Sequence, residues 1–151
     1  MDYFLVQQKE MRAIEIQETL QEENVTICKV KNIGPVEGLD YIQKKNLVSN
    51  RFKELLELYQ PKEKYQPYVY ISTENQQEKT FWHWNITEYQ PKVVQYRIDG
   101  LVQSIEVDNG DIPRMFYICS PKGIRSIIVH LSIAESVLRR GYLGLEFVPV
   151  G

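Results

Sequence analysis

The run Lys92-Val-Val-Gln-Tyr-Arg-Ile98, Asp99-Gly100, Leu101-Val-Gln-Ser-Ile-Glu-Val-Asp108 decides the class of the fold. Apolar and polar residues alternate on both sides of an Asp-Gly pair, the pair preferred in a two-residue type I′ hairpin turn. In that register Val94, Ile98, Leu101, Ile105 and Val107 share a face with Lys92, Tyr96 and Gln103. Gln95, Arg97, Ser104 and Glu106 share the other, diluted only by Val93 and Val102. One face packs and the other is wet, which is the pattern of an antiparallel sheet.

Working outward, Phe81-Trp-His-Trp-Asn-Ile-Thr87 alternates as well. Trp82, Trp84 and Ile86 fall on one face, and Phe81, His83 and Asn85 on the other. Two indoles against one imidazole make the first the core face. Residues 68–71 read as a strand between a polar loop, 61–67, and a polar connection, 72–79. Asn109-Gly110 marks a turn, and strands follow at 115–119 and 126–131, on either side of Pro121-Lys-Gly123. Toward the N-terminus, residues 3–6 form a short buried strand. Residues 11–31 read ambiguously: Met11, Ala13, Ile14 and Ile16 half-alternate, and Val25, Ile27, Cys28 and Val30 suggest a strand. Gly34-Pro-Val-Glu-Gly38 is a turn or loop.

Two segments carry the helical period instead. Ser49 caps a helix whose stripe is Phe52, Leu55, Leu56 and Tyr59, and Pro61 stops it. Ser132 and Glu135 stand at capping-box spacing before Ile133, Val137 and Leu138. Arg139 and Arg140 suit the negative end of that helix, Gly141 its C-cap, and residues 145–150 a final strand. The predicted fold is α+β: a mainly antiparallel sheet with two helices, about 49–60 and 132–140, packed at its edge or face. Residues 1–151 read as one domain. A seam would fall near residues 44–48 and set off 1–45 as a small subdomain.

A chain of 151 residues can bury a core of its own without disulfides or metals. Its 43% hydrophobic and 25% charged residues are ordinary for a globular protein. A net charge of −2 offers no global field to hold a phosphate backbone, so no nucleic-acid partner is expected. Acidic residues gather early: Glu10, Glu15, Glu18, Glu22 and Glu23 stand against Arg12. Cys28 and Cys119 lie in apolar runs and read as small buried hydrophobes rather than a disulfide pair. The N-terminus lacks the basic region of a signal peptide, and no apolar run reaches membrane-span length. A cytoplasmic protein without a membrane partner is the expectation.

The most tempting chemical motif is His83 between two tryptophans. A catalytic histidine needs an orienting partner and a nucleophile, and neither is near in sequence. His130 reads as a satisfied histidine on a buried strand. No His or Cys spacing supports a metal, no glycine pattern cradles a phosphate, and Asp99, Asp108 and Asp111 sit at turns. No catalytic set, cofactor or metal is predicted. Tyr59, Tyr65, Tyr68, Tyr70 and Tyr89 fit protein contacts and core rims equally well.

Several segments together resemble a bacterial immunity-protein family associated with polymorphic toxin systems. They are Asp40-Tyr-Ile, Asn46-Leu-Val-Ser49, Phe52-Lys-Glu-Leu-Leu-Glu-Leu-Tyr59, Phe81-Trp-His-Trp-Asn85-Ile, Asp111-Ile-Pro-Arg-Met-Phe116, Ser132-Ile-Ala-Glu-Ser-Val-Leu and Gly141-Tyr-Leu-Gly144-Leu-Glu-Phe147-Val-Pro149. They span about residues 40–150. The segment after the aromatic strand, where the family carries a polar stretch with Asp and Ser, departs from it. The resemblance implies a cytoplasmic, non-catalytic protein that binds a toxin domain and blocks it. Carboxylates outside the recognisable scaffold are then the partner-binding candidates: Glu15, Glu18, Glu22 and Glu23 first, Glu74 and Glu78 second. The alternative is an enzyme or small-molecule-binding domain built on the aromatic strand around Trp82 and Trp84. Its polar contacts would be His83, Tyr89 and Tyr96 in a concave pocket. Oligomeric state is left open by the sequence.

Overall fold

Twelve strands and two helices follow one another among the described residues. They are β1 (Tyr3–Gln8), β2 (Ile16–Glu22), β3 (Val25–Val30), β4 (Tyr41–Ile42), β5 (Leu47–Val48), α1 (Asn50–Tyr59), β6 (Lys64–Ser72), β7 (Glu78–Asn85), β8 (Val93–Tyr96), β9 (Val102–Glu106), β10 (Met115–Cys119), β11 (Arg125–His130), α2 (Leu131–Arg140) and β12 (Leu145–Pro149). A single 3-10 turn, Gln43–Lys45, joins β4 to β5. This computed structural model describes residues 2–10, 12–108 and 110–151. Met11 of the half-alternating stretch and Asn109 of the Asn109-Gly110 turn lie outside the described residues.

The strands form a four-stranded sheet, β10-β11-β1-β12, a six-stranded sheet, β2-β3-β6-β7-β5-β4, and the separate hairpin β8-β9. The class is α+β with mainly antiparallel pairing, as expected. The exception is β3 against β6, which run parallel from Thr26↔Tyr68 to Val30↔Ser72. A parallel pair needs a long crossover, and the segment holding β4, β5 and α1 supplies it. Residues 3–8 sit inside the smaller sheet and 16–30 on the larger, so the first 45 residues are shared between both.

Helix α1 forms where the sequence places it. The Ser49 hydroxyl accepts from the Phe52 N–H, and no β-branched residue interrupts Asn50–Tyr59. Helix α2 is capped differently from the expectation. Because β11 runs into it with no loop, the residue with extended backbone at the junction is His130, and its Nδ1 accepts from the Ser132 N–H at 3.1 Å. Ser132 lies inside the first turn and accepts from Arg114, while Glu135 faces Arg139 at 3.7 Å. The predicted capping box is therefore absent.

Three apolar clusters hold the layers together. In the first, Phe52, Leu55 and Leu56 of α1 and Ile133, Ala134 and Val137 of α2 fill the space between Val6, Met115 and Val129 of the small sheet and Val48 and Trp84 of the large one. Each fully buried Leu or Phe contributes roughly 1.5–3 kcal/mol. The second lies on the other face of the large sheet, where Ile33, Val36 and Leu39 fold down over Cys28, Val30, Tyr70 and Phe81. The third places Val102 and Ile105 of the hairpin on Leu5, Phe116 and Ile128. Both faces of β7 are consequently packed: Trp84 enters the first cluster and Phe81 the second. That corrects the assignment of a single core face to the tryptophans.

The hairpin also differs from its prediction. Gly100 N–H donates to the Arg97 carbonyl at 3.0 Å and Arg97 N–H to the Leu101 carbonyl at 2.7 Å. Only Gly100 has positive φ, +91°, so the loop is a type I turn closed by a left-handed glycine rather than type I′. The Asp99 side chain accepts from Arg97 at 2.6 Å and from the Leu101 N–H at 3.1 Å, which favours this form. The register shifts between Gln95 and Tyr96, which pair with Ser104 and Val102. Val102 turns inward at 1% exposure and Ile98 outward at 99%, the reverse of the two-residue expectation. Strand β6 begins earlier than predicted and includes Pro67, which is tolerated because β3 pairs only from Tyr68 onward. Both cysteines are free, Cys28 buried and Cys119 half-buried. No described helix is long and apolar enough to cross a membrane.

Candidate functional site

Two places draw polar side chains in from water. The first surrounds Asp40, just before β4. Its buried carboxylate accepts from Ser49 Oγ at 2.6 Å, Arg51 Nε at 2.8 Å, Arg51 Nη2 at 2.6 Å and the Leu143 N–H at 2.7 Å. Burial alone would raise its pKa, but the hydrogen bonds from Arg51, Ser49 and Leu143 and the Arg51 charge outweigh it and hold the carboxyl below its ordinary value. Arg51 also stacks over Tyr142, whose hydroxyl donates to the Arg51 carbonyl at 3.1 Å. Nearby, Gly144 at φ +87° presses on Leu39: an added Cβ would stand 2.7 Å from Leu39 Cδ2. Asp40 and Ser49 lie just before α1, and Tyr142 and Gly144 in the loop after α2. Together they tie the start of α1 to the loop after α2, so their role here is architectural.

The second place is a cleft of about 1020 Å³ between the two sheets. Tyr68, Trp84 and Ile86 line it from the large sheet and the end of β7, and Leu101, Tyr117, Ile124 and Arg125 from the hairpin and the small sheet. The volume stands at the upper end of small-molecule sites. His83 and Asn85 of β7 project into it beside Lys44 and Lys45 of the 3-10 turn. That turn is pinned at both ends. Gln8 and Gln43 exchange hydrogen bonds, each backbone N–H donating to the other's side-chain carbonyl at 2.8 and 3.1 Å. Asn46, at φ 51°, donates to the Trp84 carbonyl at 2.8 Å and receives the Tyr41 hydroxyl at 3.2 Å.

The lining carries Lys44, Lys45 and Arg125 and no carboxylate. None of these three cations is ion-paired among the described residues; Arg125 lies over the Tyr117 ring at 4.7 Å. Burial lowers the pKa of His83, the Arg125 charge lowers it further, and Asn85 offsets part of this. His83 Nδ1 and Trp84 Nε1 are buried without a hydrogen-bond partner among the described residues. A buried polar atom without a partner costs roughly 1–3 kcal/mol. The two side chains leave opposite faces of β7, Trp84 toward α1 and His83 toward the cleft.

The predicted residues disperse. His83 enters the cleft, but Tyr89 stacks edge-on against Phe116 at 5.0 Å, and Tyr96 packs beside Val102 and Ile105. The three therefore form no joint pocket. The other tyrosines are mostly structural as well: Tyr68 and Tyr70 are buried, and the Tyr59 hydroxyl meets Ser136 at 2.7 Å. Glu15, Glu18, Glu22 and Glu23 are all exposed along β2 and its ends, but Glu18 reaches Lys29 at 3.4 Å. Glu22 and Glu23 lie at the turn into β3, while Glu15 lies at the opposite end of the strand. Glu74 and Glu78 are exposed at the β6–β7 turn, on the Glu15 side, where Thr73 bonds Gln17 at 2.9 Å. Lys44, Lys45 and Arg125 were missed in the sequence; the Lys-Lys pair before a left-handed Asn was the only local signal. No family model, curated protein or solved structure matches the chain.

Proposed function

We propose that this chain is a non-catalytic, immunity-type protein that acts in the cytoplasm by binding a toxin domain and blocking it. The observation that carries the reading is the margin of the large sheet. Strand β2 is its outermost strand, and every residue from Ile16 to Glu22 is exposed apart from half-exposed Leu20. An outermost strand offers a row of N–H and C=O groups to which a partner chain can add. Glu22 and Glu23 at one end and Glu15 at the other make no ion pair among the described residues, and they suit a basic partner surface. A bulge between Ile16 and Glu18, with the charges beside it, discourages pairing of the strand with its own copy. The family resemblance supplies the partner class.

The test is co-expression with a toxin domain encoded beside the gene. Protection of the cells and co-purification of the two chains are expected. Glu22→Lys combined with Glu23→Lys weakens the affinity at least ten-fold, about 1.4 kcal/mol. Unchanged affinity in that variant removes the margin as the interface; failure to protect against any such toxin removes the reading itself.

A further inference from the structure

The cations of the cleft are unspent. Lys44 and Lys45 come from the margin of the large sheet and Arg125 from β11 of the small one, so positive charge approaches the cleft from both walls. In a chain of net charge −2, this is a local arrangement and no consequence of a basic protein. On the β7 face turned to the cleft, His83 Nδ1 is buried without a partner. Lys and Arg side chains donate and do not accept. A cation-bearing, carboxylate-free cleft also lined by Tyr68 and Tyr117 is complementary to an oxyanion carried on a compact organic body.

We propose that the His83 end of this cleft is a binding site for a small organic anion, a phosphate ester or a carboxylate, held between Lys44 and Lys45 on one wall and Arg125 on the other. The backbone that presents the two lysines is already fixed by Gln43 and Asn46, so little ordering entropy opposes binding there. Thr19 and Gln21 of β2 also line this cleft, but the three cations lie on other elements, so the anion site is separable by substitution from Glu22 and Glu23. Because it binds the folded chain, the ligand stabilises it by RT ln(1 + L/Kd) at free ligand concentration L.

The chain has two histidines, His83 and His130, and their ring C–H signals report the site by NMR. Inorganic pyrophosphate and citrate are titrated separately, each at ionic strength held constant with NaCl. The expected result is a saturable shift of His83 with His130 unmoved. The affinity falls at least ten-fold in Arg125→Gln and in Lys44→Gln with Lys45→Gln, and is unchanged in Glu22→Lys with Glu23→Lys. All these side chains are exposed, and an amide spectrum matching the parent establishes that each variant is folded. The tighter of the two probes identifies the anion as phosphate or carboxylate. Shifts that rise linearly with both probes, that move His130 equally, or that survive in the Arg125 and lysine variants overturn the proposal.

Discussion

Asp40 and His83 are both polar side chains taken out of water, and their surroundings differ in kind. Asp40, 2% exposed, is met by Ser49, both arms of Arg51 and the Leu143 N–H. His83 keeps a buried nitrogen unpaired, and the neighbouring Trp84 does the same. A satisfied buried carboxylate fixes the joint between α1 and the Gly141–Gly144 loop; an unsatisfied nitrogen bordering an open cleft is the kind of cost that persists where something binds. Architecture and binding capacity are thus separated by how completely each site completes its own hydrogen bonds.

The largest effect is expected at the joint. Asp40→Ala leaves Arg51, Ser49 and the Leu143 N–H without their acceptor and lowers stability by roughly 3 kcal/mol in urea unfolding. The same residue sets an acid limit. Its folded pKa lies below the unfolded value, so its contribution is present above about pH 4 and is lost as pH falls through the folded pKa. Asp40→Asn flattens that part of the stability profile.

Next comes Gly144→Ala, which adds a Cβ against Leu39 in a left-handed backbone and costs roughly 2 kcal/mol by the same assay. At the cleft the sign reverses. His83→Phe removes an unpaired buried nitrogen while keeping a ring of similar shape, and it raises stability by up to about 1 kcal/mol. The parent loses stability as pH falls below about 6.5 through the lowered folded pKa of His83, and the variant lacks that loss. A large destabilisation by His83→Phe would erase the distinction between the two sites. The smallest effect is at Ile98: replacement by Asn stays within about 0.5 kcal/mol because the side chain is fully outside.

Features set by neighbours in the chain were the readable ones. The Ser49 cap and the Phe52, Leu55, Leu56 stripe give α1 within a residue of its predicted start, and the alternation around residues 68–108 gives the α+β class. Features set by distant residues were not. The loop carrying Ile33, Val36 and Leu39 makes the Phe81 side of β7 a second core face, which no local pattern announces. The parallel β3–β6 pair depends on a crossover, and the His130 cap depends on β11 meeting α2 without a gap. Asp99-Gly100 chose a three-residue loop because Asp99 could bind its own turn and Arg97. Of the candidate site, His83 was legible as a residue, but its companions were not. Lys44, Lys45 and Arg125 meet only when two sheets close on one another.

The proposed function is tested most directly by backbone amide exchange of the chain alone and mixed with a candidate toxin domain, which separates partner contact from architecture residue by residue. Added protection is expected along Ile16–Glu22 and at the turn holding Glu23. Exchange around Asp40, Ser49 and Leu143 is expected to be unchanged, because those groups are already bonded within the chain. Protection confined to that joint, or a complex that leaves β2 exchanging as fast as before, would contradict partner binding through the sheet margin.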